Sequence, residues 1–444
     1  MPANKPFGVW TLTLLVIANM VGAGVFTTSG FTLQDLGSPR LVIAAWLVGG
    51  LIALAGAASY GQLARVMPES GGEYLFLSRA AHPLLGFIAG WVSLVAGFTG
   101  AIAFAATALE SYLLPTGARP DWLPADTVAV AVVIAGGVFH GLRPRFGAVF
   151  QNTAVLLKLG LLVGLLGFAA SELSSDLWHG QPLDQAAPLH GWPLLAAFAS
   201  ALVWISLSYS GFNAAVYVAD EVVDARGTVP KSLLLGTLIV TALYVLLNAV
   251  FVYAPPPEAI AGVPDIAAVA ARWLGGSELA MLVRVIISAA LLTSVSSMMM
   301  AAPRVYAKMA DDGLLPRFVQ FRDGIPRTAI ALQVALAVLF ILVASLRGLL
   351  TYLGLTLSLS AACSVGCLFL PAVRRRQPRF HLALLPPLVY LVGTLSAAMI
   401  LSLREPRQLL ATALTFSLGA AVYLLSTKRR PPMTDVGSDP ISRA

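Results

Sequence analysis

The feature that most constrains this chain is the recurrence of apolar runs about 20 residues long, the length a helix needs to cross a bilayer. They succeed one another along almost the whole sequence. Twelve spans are expected, at roughly 9–33, 40–66, 83–114, 126–141, 147–170, 193–219, 231–254, 278–303, 328–346, 349–370, 381–402 and 407–427. In hydrocarbon a backbone must satisfy its own polar groups, so such a chain folds as an all-α integral membrane bundle. Composition agrees: of 444 residues 58% are hydrophobic and 11% charged, against roughly 25% charged in a soluble domain. No large soluble domain fits between the runs. The first run reads as a retained span rather than a cleaved signal.

The net charge of +7 does not imply a nucleic-acid partner, because the basic residues sit between the apolar runs. With the N-terminus inside, 20 of the 28 Lys and Arg fall in cytoplasmic segments and six in external ones; Lys158 and Arg284 lie within spans. That asymmetry places both termini in the cytoplasm of a multi-pass inner-membrane protein. The expected organisation is one transmembrane domain over 1–427 and a polar cytoplasmic tail over 428–444.

The sequence contains no nucleotide loop and no hydrolase motif, so the chain is not read as an enzyme. His82, His140, His179, His190 and His381 fall in or near connections, without metal-ligand spacing. No metal and no cofactor are expected. Cys363 and Cys367, one turn apart in an apolar segment, read as small packing residues rather than a disulfide or metal pair.

Two spans are interrupted. The first carries "NMVGAGVFTTSG", with Gly22 and Gly24 in mid-run; the sixth carries "SLSYSGFNAAVYVADE", with Ser208, Ser210, Gly211 and Asn213. Broken helices at corresponding positions of two halves are a sequence pointer to a transporter site. An unwound turn leaves N–H and C=O groups unpaired, at several kcal/mol each in hydrocarbon. A zwitterion suits such a place, its carboxylate on the N–H groups and its ammonium on the carbonyls. The alternative reading is close helix packing at the glycines.

"VGAGVF", "MPESGGEYLFLSRAAHPLLGFIAGW", "SYSGFNAAVYVADEVVDARGTVPKSL" and "APRVYAKMADDGLLPRF", in that order, resemble the amino acid–polyamine–organocation (APC) transporter superfamily from about residue 8 to 425. The resemblance implies the LeuT-type fold: two five-helix inverted repeats over about 9–170 and 193–370, with discontinuous helices 1 and 6, and two added helices over 381–427. The "YSGFN" turn is most similar to the L-type amino acid transporters and their bacterial relatives. By that resemblance the substrate site is drawn from Gly22, Ala23, Gly24 and Val25 and from Leu207, Ser208, Tyr209, Ser210, Gly211, Phe212 and Asn213. The backbone at Ala23 and Gly24 would take the carboxylate, and the carbonyls of 207–210 the ammonium. Leu207 stands where relatives often carry an aromatic gate. Asn213 stands where arginine/agmatine antiporters carry a glutamate, which argues against acid-driven exchange.

Lys158 is about eleven residues, or roughly 16 Å, from either end of its span, too deep to snorkel. The resemblance supplies a role. Sodium-coupled relatives hold Na⁺ between spans 1, 5 and 8, and several sodium-independent ones have a lysine here. Its ammonium would bond the carbonyls of Met20 and Gly22 and the hydroxyls of Ser296 or Ser297. Proton release during the cycle is a second reading, and a purely structural charge a third. Arg284 either snorkels or pairs with Glu110 as an outer gate.

The expectation is a permease moving neutral L-amino acids across the plasma membrane by alternating access, without sodium, by exchange (as an antiporter) or proton symport. Its partners would be a small amino acid substrate and the lipid bilayer, with no obligate protein partner evident. The rivals are a polyamine or basic amino acid carrier of the same superfamily and a non-transporting membrane sensor. An ion channel is disfavoured by the lack of a repeated filter.

Overall fold

The structure, a computed structural model, describes residues 7–115, 117–142, 147–172, 183, 189–311, 315, 326–376 and 381–427. His179 and the tail over 428–444 lie outside them. The first apolar run forms two helices, α1 (Val9–Met20) and α2 (Gly24–Leu36), bent by 46°. The break begins at Val21, which leaves the helical region (φ −74°, ψ 85°), and the Gly22 N–H turns back to the Met20 carbonyl at 2.8 Å. Gly37, at φ 68°, closes α2 in the left-handed conformation that favours glycine. α3 (Pro39–Val66) and the short α4 (Gly72–Ala80) follow. The third run is continuous but not uniform: α5 (Pro83–Val92) passes through a π-helical stretch, Ser93–Gly100, into α6 (Ala101–Leu113). α7 (Thr127–Leu142) and α8 (Gly147–Ser171) complete the first half.

The second half begins with α9 (Gly191–Ser208), which stops in the expected place. A turn through Gly211 (φ 100°) leads into a 3-10 helix, Ala214–Glu221. Then come α10 (Ala225–Tyr253), α11 (Pro257–Ile260) and α12 (Ile266–Asp311), the last kinked at Gly275 and Gly276. α13 (Arg327–Val343), α14 (Leu346–Gly366), α15 (Pro371–Arg374), α16 (Leu385–Arg404) and α17 (Pro406–Thr427) finish the chain.

Among the described residues eight helices are long and apolar enough to cross a membrane, or nine if the bent pair is one span. Three shorter apolar helices, Thr127–Gly141, Lys158–Ser171 and Arg327–Val343, fall on three further expected segments. Large apolar side chains such as Leu14, Val163, Val343, Met399 and Leu410 are exposed on the outside of the bundle. On a soluble protein such a surface would be an aggregation liability; in hydrocarbon it is the solvated face.

The helices around the breaks have different main packing partners. α3 lies along α10, and α10 along α1 and the 3-10 helix, whereas α4 packs on α5 and α14. Trp46, Tyr209 and Tyr244 form a buried aromatic cluster with ring centroids 5.2 to 5.8 Å apart, between α3, α9 and α10. Cys363 and Cys367 are free thiols, the second buried. His140 sits in the last turn of α7, buried, with Nε2 2.9 Å from the Ser296 hydroxyl of α12.

Candidate functional site

The two breaks touch each other. A Cβ on Gly24 would lie 2.9 Å from Ser208 Cα, and one on Gly211 would lie 2.8 Å from the Asn19 carbonyl oxygen. Both glycines are therefore required by close approach, and Gly211 by its positive φ as well. Thr28 and Ser208 add a hydroxyl pair at 3.2 Å. Gly22 differs, because the nearest atom to a Cβ there is 3.9 Å away. Close packing thus accounts for Gly24 and Gly211 and leaves Gly22 facing open space.

That space is a cavity of about 520 Å³. Met20, Gly22, Ala23 and Gly24 line one wall, and Leu207, Ser208, Tyr209, Ser210, Gly211, Phe212 and Asn213 another; Lys158 and Ser297 also border it. Val25 and Ser296 do not. Val25 is fully buried in helix packing, and Ser296, one position from Ser297, is turned to His140. The π-helical stretch contributes Ser93, Gly97 and Phe98 to the lining, consistent with the frequency of such bulges at functional sites.

Tyr244 of α10 joins the two breaks. Its hydroxyl is 2.7 Å from the Met20 carbonyl and 3.2 Å from the Ser208 carbonyl, the last residues of α1 and α9. A hydroxyl has one proton to donate. It cannot give a full bond to both helix ends at once, so one terminal carbonyl is left under-served. Sequence inspection missed Tyr244, since nothing local distinguishes it from the other aromatic residues of its helix.

Lys158 is 6% exposed, and its Nζ donates to the carbonyl of Val21. The expected partners are corrected in detail. The Met20 carbonyl is taken by Tyr244 and by the Gly22 N–H. No bond from the lysine to the Gly22 carbonyl forms, because Val21 is where the backbone leaves the helix and its carbonyl loses an i+4 donor. Ser297 donates to the Thr293 carbonyl of its own helix, and Ser296 is engaged by His140. The lysine therefore ties α8 to the break itself without a serine of α12.

The alternative to snorkelling, a pair of Glu110 and Arg284, does not form. Glu110 accepts from Arg119 and from the backbone N–H groups of Asp126 and Ala129, each at 2.8 Å. It thereby caps the start of α7, where unpaired N–H groups and the helix dipole favour a carboxylate. Arg284 binds Asp265 at 2.8 Å and the Tyr112 carbonyl at 2.6 Å. Neither residue borders the cavity. Asp265, just ahead of α12, brings its carboxylate closer to Arg284 than the end of α6 brings Glu110.

A carboxylate that the sequence reading left unassigned does line the cavity. Glu73, in the first turn of α4, is 7% exposed. It accepts from Tyr60 at 2.9 Å, from the Asn213 amide at 2.7 Å and from the Tyr217 hydroxyl. Asn213 therefore spends its amide on Glu73. The signal was present in "ESGGEY", an acid at the edge of an apolar run, but two of its three partners lie 140 and 144 residues away.

An all-helical membrane bundle with two broken helices meeting at a cavity is the arrangement of carriers. The chain belongs to the amino acid permease family, whose model matches residues 7–420; it is an APC-family amino acid transporter. It is 24% identical over 406 residues to the Asc-type amino acid transporter 1 of Homo sapiens, covering 88% of this chain and 76% of that protein. It is 24% identical over 352 residues to the serine/threonine exchanger SteT of Bacillus subtilis (strain 168), covering 77% of each. A third relative, the large neutral amino acids transporter small subunit 2 of Homo sapiens, is 23% identical over 398 residues, with 88% and 74% covered.

Proposed function

We propose that the chain carries neutral L-amino acids across the cytoplasmic membrane by alternating access, without sodium, by exchange or proton symport. The observation that carries this reading is the meeting of both helix breaks around one cavity with the Lys158 ammonium bound to the first break. A substrate carboxylate would take the N–H groups at Ala23 and Gly24, the first of α2, where the helix dipole favours an anion. The substrate ammonium would take the carbonyls at 207–210 and the one Tyr244 leaves under-served. Lys158 would act as a fixed cation in the place of a coupling ion, or release a proton in the cycle.

The same reading takes twelve spans, arranged as inverted repeats over about 9–170 and 193–370 with two added helices over 381–427. The position of the breaks, in the first span of each half, supports it. Both termini would be cytoplasmic, on the asymmetry of Lys and Arg. The names of the relatives, a large neutral amino acid transporter and a serine/threonine exchanger, support a neutral substrate and exchange. A basic side chain or polyamine is less well served: the one carboxylate on the cavity wall among the described residues already accepts three hydrogen bonds.

The test is counterflow in proteoliposomes made with purified protein and K⁺ in place of Na⁺. Labelled serine, threonine or leucine should enter faster when the lumen holds an unlabelled neutral amino acid, and restoring Na⁺ should change nothing. Absence of any flux despite substrate binding would indicate a sensor. A Na⁺ requirement would overturn the role given to Lys158.

A further inference from the structure

The loop between α3 and α4 grips the 3-10 helix that follows the break in α9. Ser70 Oγ accepts from the Asp220 N–H at 2.9 Å, near one end of that helix. At the other end Glu73 accepts from Asn213 and Tyr217. Gly72, at φ 53°, leaves room between them: a Cβ there would lie 2.4 Å from the Tyr217 ring. Behind Glu73, Tyr60 donates its hydroxyl from α3, and the Tyr60 ring packs edge-on against Phe212 at 5.3 Å. The ring of Phe212 in turn meets that of Tyr390 of α16 at 6.1 Å.

Two things make this cluster more than local packing. First, its members stand on elements whose main packing partners differ. Tyr60, Asn213 and Tyr217 stand on α3 and the 3-10 helix, which pack with α10 and α1; Glu73 stands on α4, which packs on α5 and α14. Second, the carboxylate is buried, and among the described residues no Lys or Arg forms an ion pair with it. A charge held only by neutral donors depends on all of them. The donors in turn lose their acceptor together if the groups part. Such a junction can be closed, with three charge-assisted bonds, or open with its groups hydrated.

We propose that Glu73 is the positioning residue that latches the cavity shut on the face where α1 begins, and that parting of Glu73 from Asn213 and Tyr217 is the opening step on that face. The opposite face is held by different groups: Asp35 at the end of α2 binds Arg347 at 2.7 Å and Arg404 at 3.1 Å. The two faces therefore have separate latches, as a carrier that opens one side at a time requires. The meaning of the latch in a transport cycle rests on the carrier reading above.

Accessibility of the cavity tests the latch without substrate. Cys363 and Cys367 are replaced by alanine, and Ser294→Cys on the cavity wall serves as reporter. Labelling by a membrane-impermeant thiol reagent is timed in right-side-out and inside-out vesicles. Glu73→Gln keeps the shape of the side chain and removes its charge: the remaining oxygen can accept from Tyr60 and Asn213, but an amide nitrogen replaces the oxygen that accepts from Tyr217, so the Tyr217 O–H loses its acceptor and the other bonds lose their charge assistance. Labelling from the face where α1 begins should rise about tenfold, the change expected for one lost charge-assisted bond, while labelling from the other face should not rise. Tyr217→Phe, a milder change, should shift labelling the same way by less, and carries the test alone if the glutamine variant does not fold. Unchanged labelling from both faces, a rise on the opposite face, or loss of uptake of a basic amino acid with labelling unchanged would each overturn the proposal. Failure of the parent to transport any amino acid would instead overturn the carrier reading, and leaves the labelling result standing.

Discussion

The hydroxyl of Tyr244 lies 2.7 Å from the carbonyl of Met20, at the point where α1 stops. The same hydroxyl reaches the end of α9 at 3.2 Å, so one side chain of α10 sets the distance between the two breaks. Removing it as Tyr244→Phe leaves both terminal carbonyls without this donor, at about 1–3 kcal/mol for a buried acceptor. Substrate affinity should fall about tenfold while the purified protein stays monodisperse, as read by equilibrium binding. Unchanged affinity would mean that the hydroxyl is not needed to shape the site.

The glycines of the first break should separate in their effects. Alanine at position 22 meets open space, whereas alanine at 24 drives a methyl into the Ser208 backbone. Gly22→Ala should leave the melting temperature nearly unchanged and weaken binding, because the methyl enters the cavity. Gly24→Ala should lower the melting temperature, at about 1–3 kcal/mol for overpacking, and Gly24→Val should lower it further. The reverse order would place the substrate on the wrong side of α2.

Lys158 bears on coupling. Lys158→Ala frees the Val21 carbonyl, and transport should fall sharply with protein yield maintained. A pH gradient across sodium-free proteoliposomes then separates the two roles. Concentrative uptake by the wild type, lost in Lys158→Ala while exchange survives, identifies a proton carrier. Exchange without response to the gradient identifies a fixed cation. Wild-type uptake by Lys158→Ala would remove the residue from the cycle.

Asn213 should be less tolerant of a carboxylate than of deletion. Its amide nitrogen is 2.7 Å from Glu73 Oε1. Asn213→Ala loses one donor, whereas Asn213→Asp brings a second carboxylate to a buried one, and like charges that close cannot both ionise freely. Thermal stability at neutral pH should fall further for aspartate than for alanine. Equal melting temperatures for the two variants would contradict the bond to Glu73.

On the opposite face, Arg347 binds both oxygens of Asp35 and stacks 4.7 Å over Trp204. Both arginines of this cluster are about one-third exposed, so solvent screens much of the attraction. Asp35→Asn should therefore destabilise by about 1 kcal/mol, less in molar salt. Arg347→Ala should cost more, because the stacking on Trp204 is lost as well. Chemical denaturation in detergent at two ionic strengths would distinguish the two contributions.

The parts of this molecule that follow from local chemistry were legible without coordinates. Apolar length and the exclusion of water from a bilayer leave a chain few options, so helices at the expected segments and interruptions at 21–23 and 209–213 follow from composition along the chain. The isolation of Lys158 in its run was enough to require a polar partner inside the protein. What the run could not specify was which atom would be that partner. Lys158 takes Val21 across 137 residues, Tyr244 takes Met20 across 224, and Asn213 takes Glu73 across 140. Each choice depends on how helices far apart in sequence are rotated and shifted against one another, by a turn or less. The same shift decides that Arg284 meets Asp265 and that Glu110 caps α7. Secondary structure in hydrocarbon is set by each segment's own need to close its hydrogen bonds; the pairing of polar groups within the cavity is set by packing among all of them together.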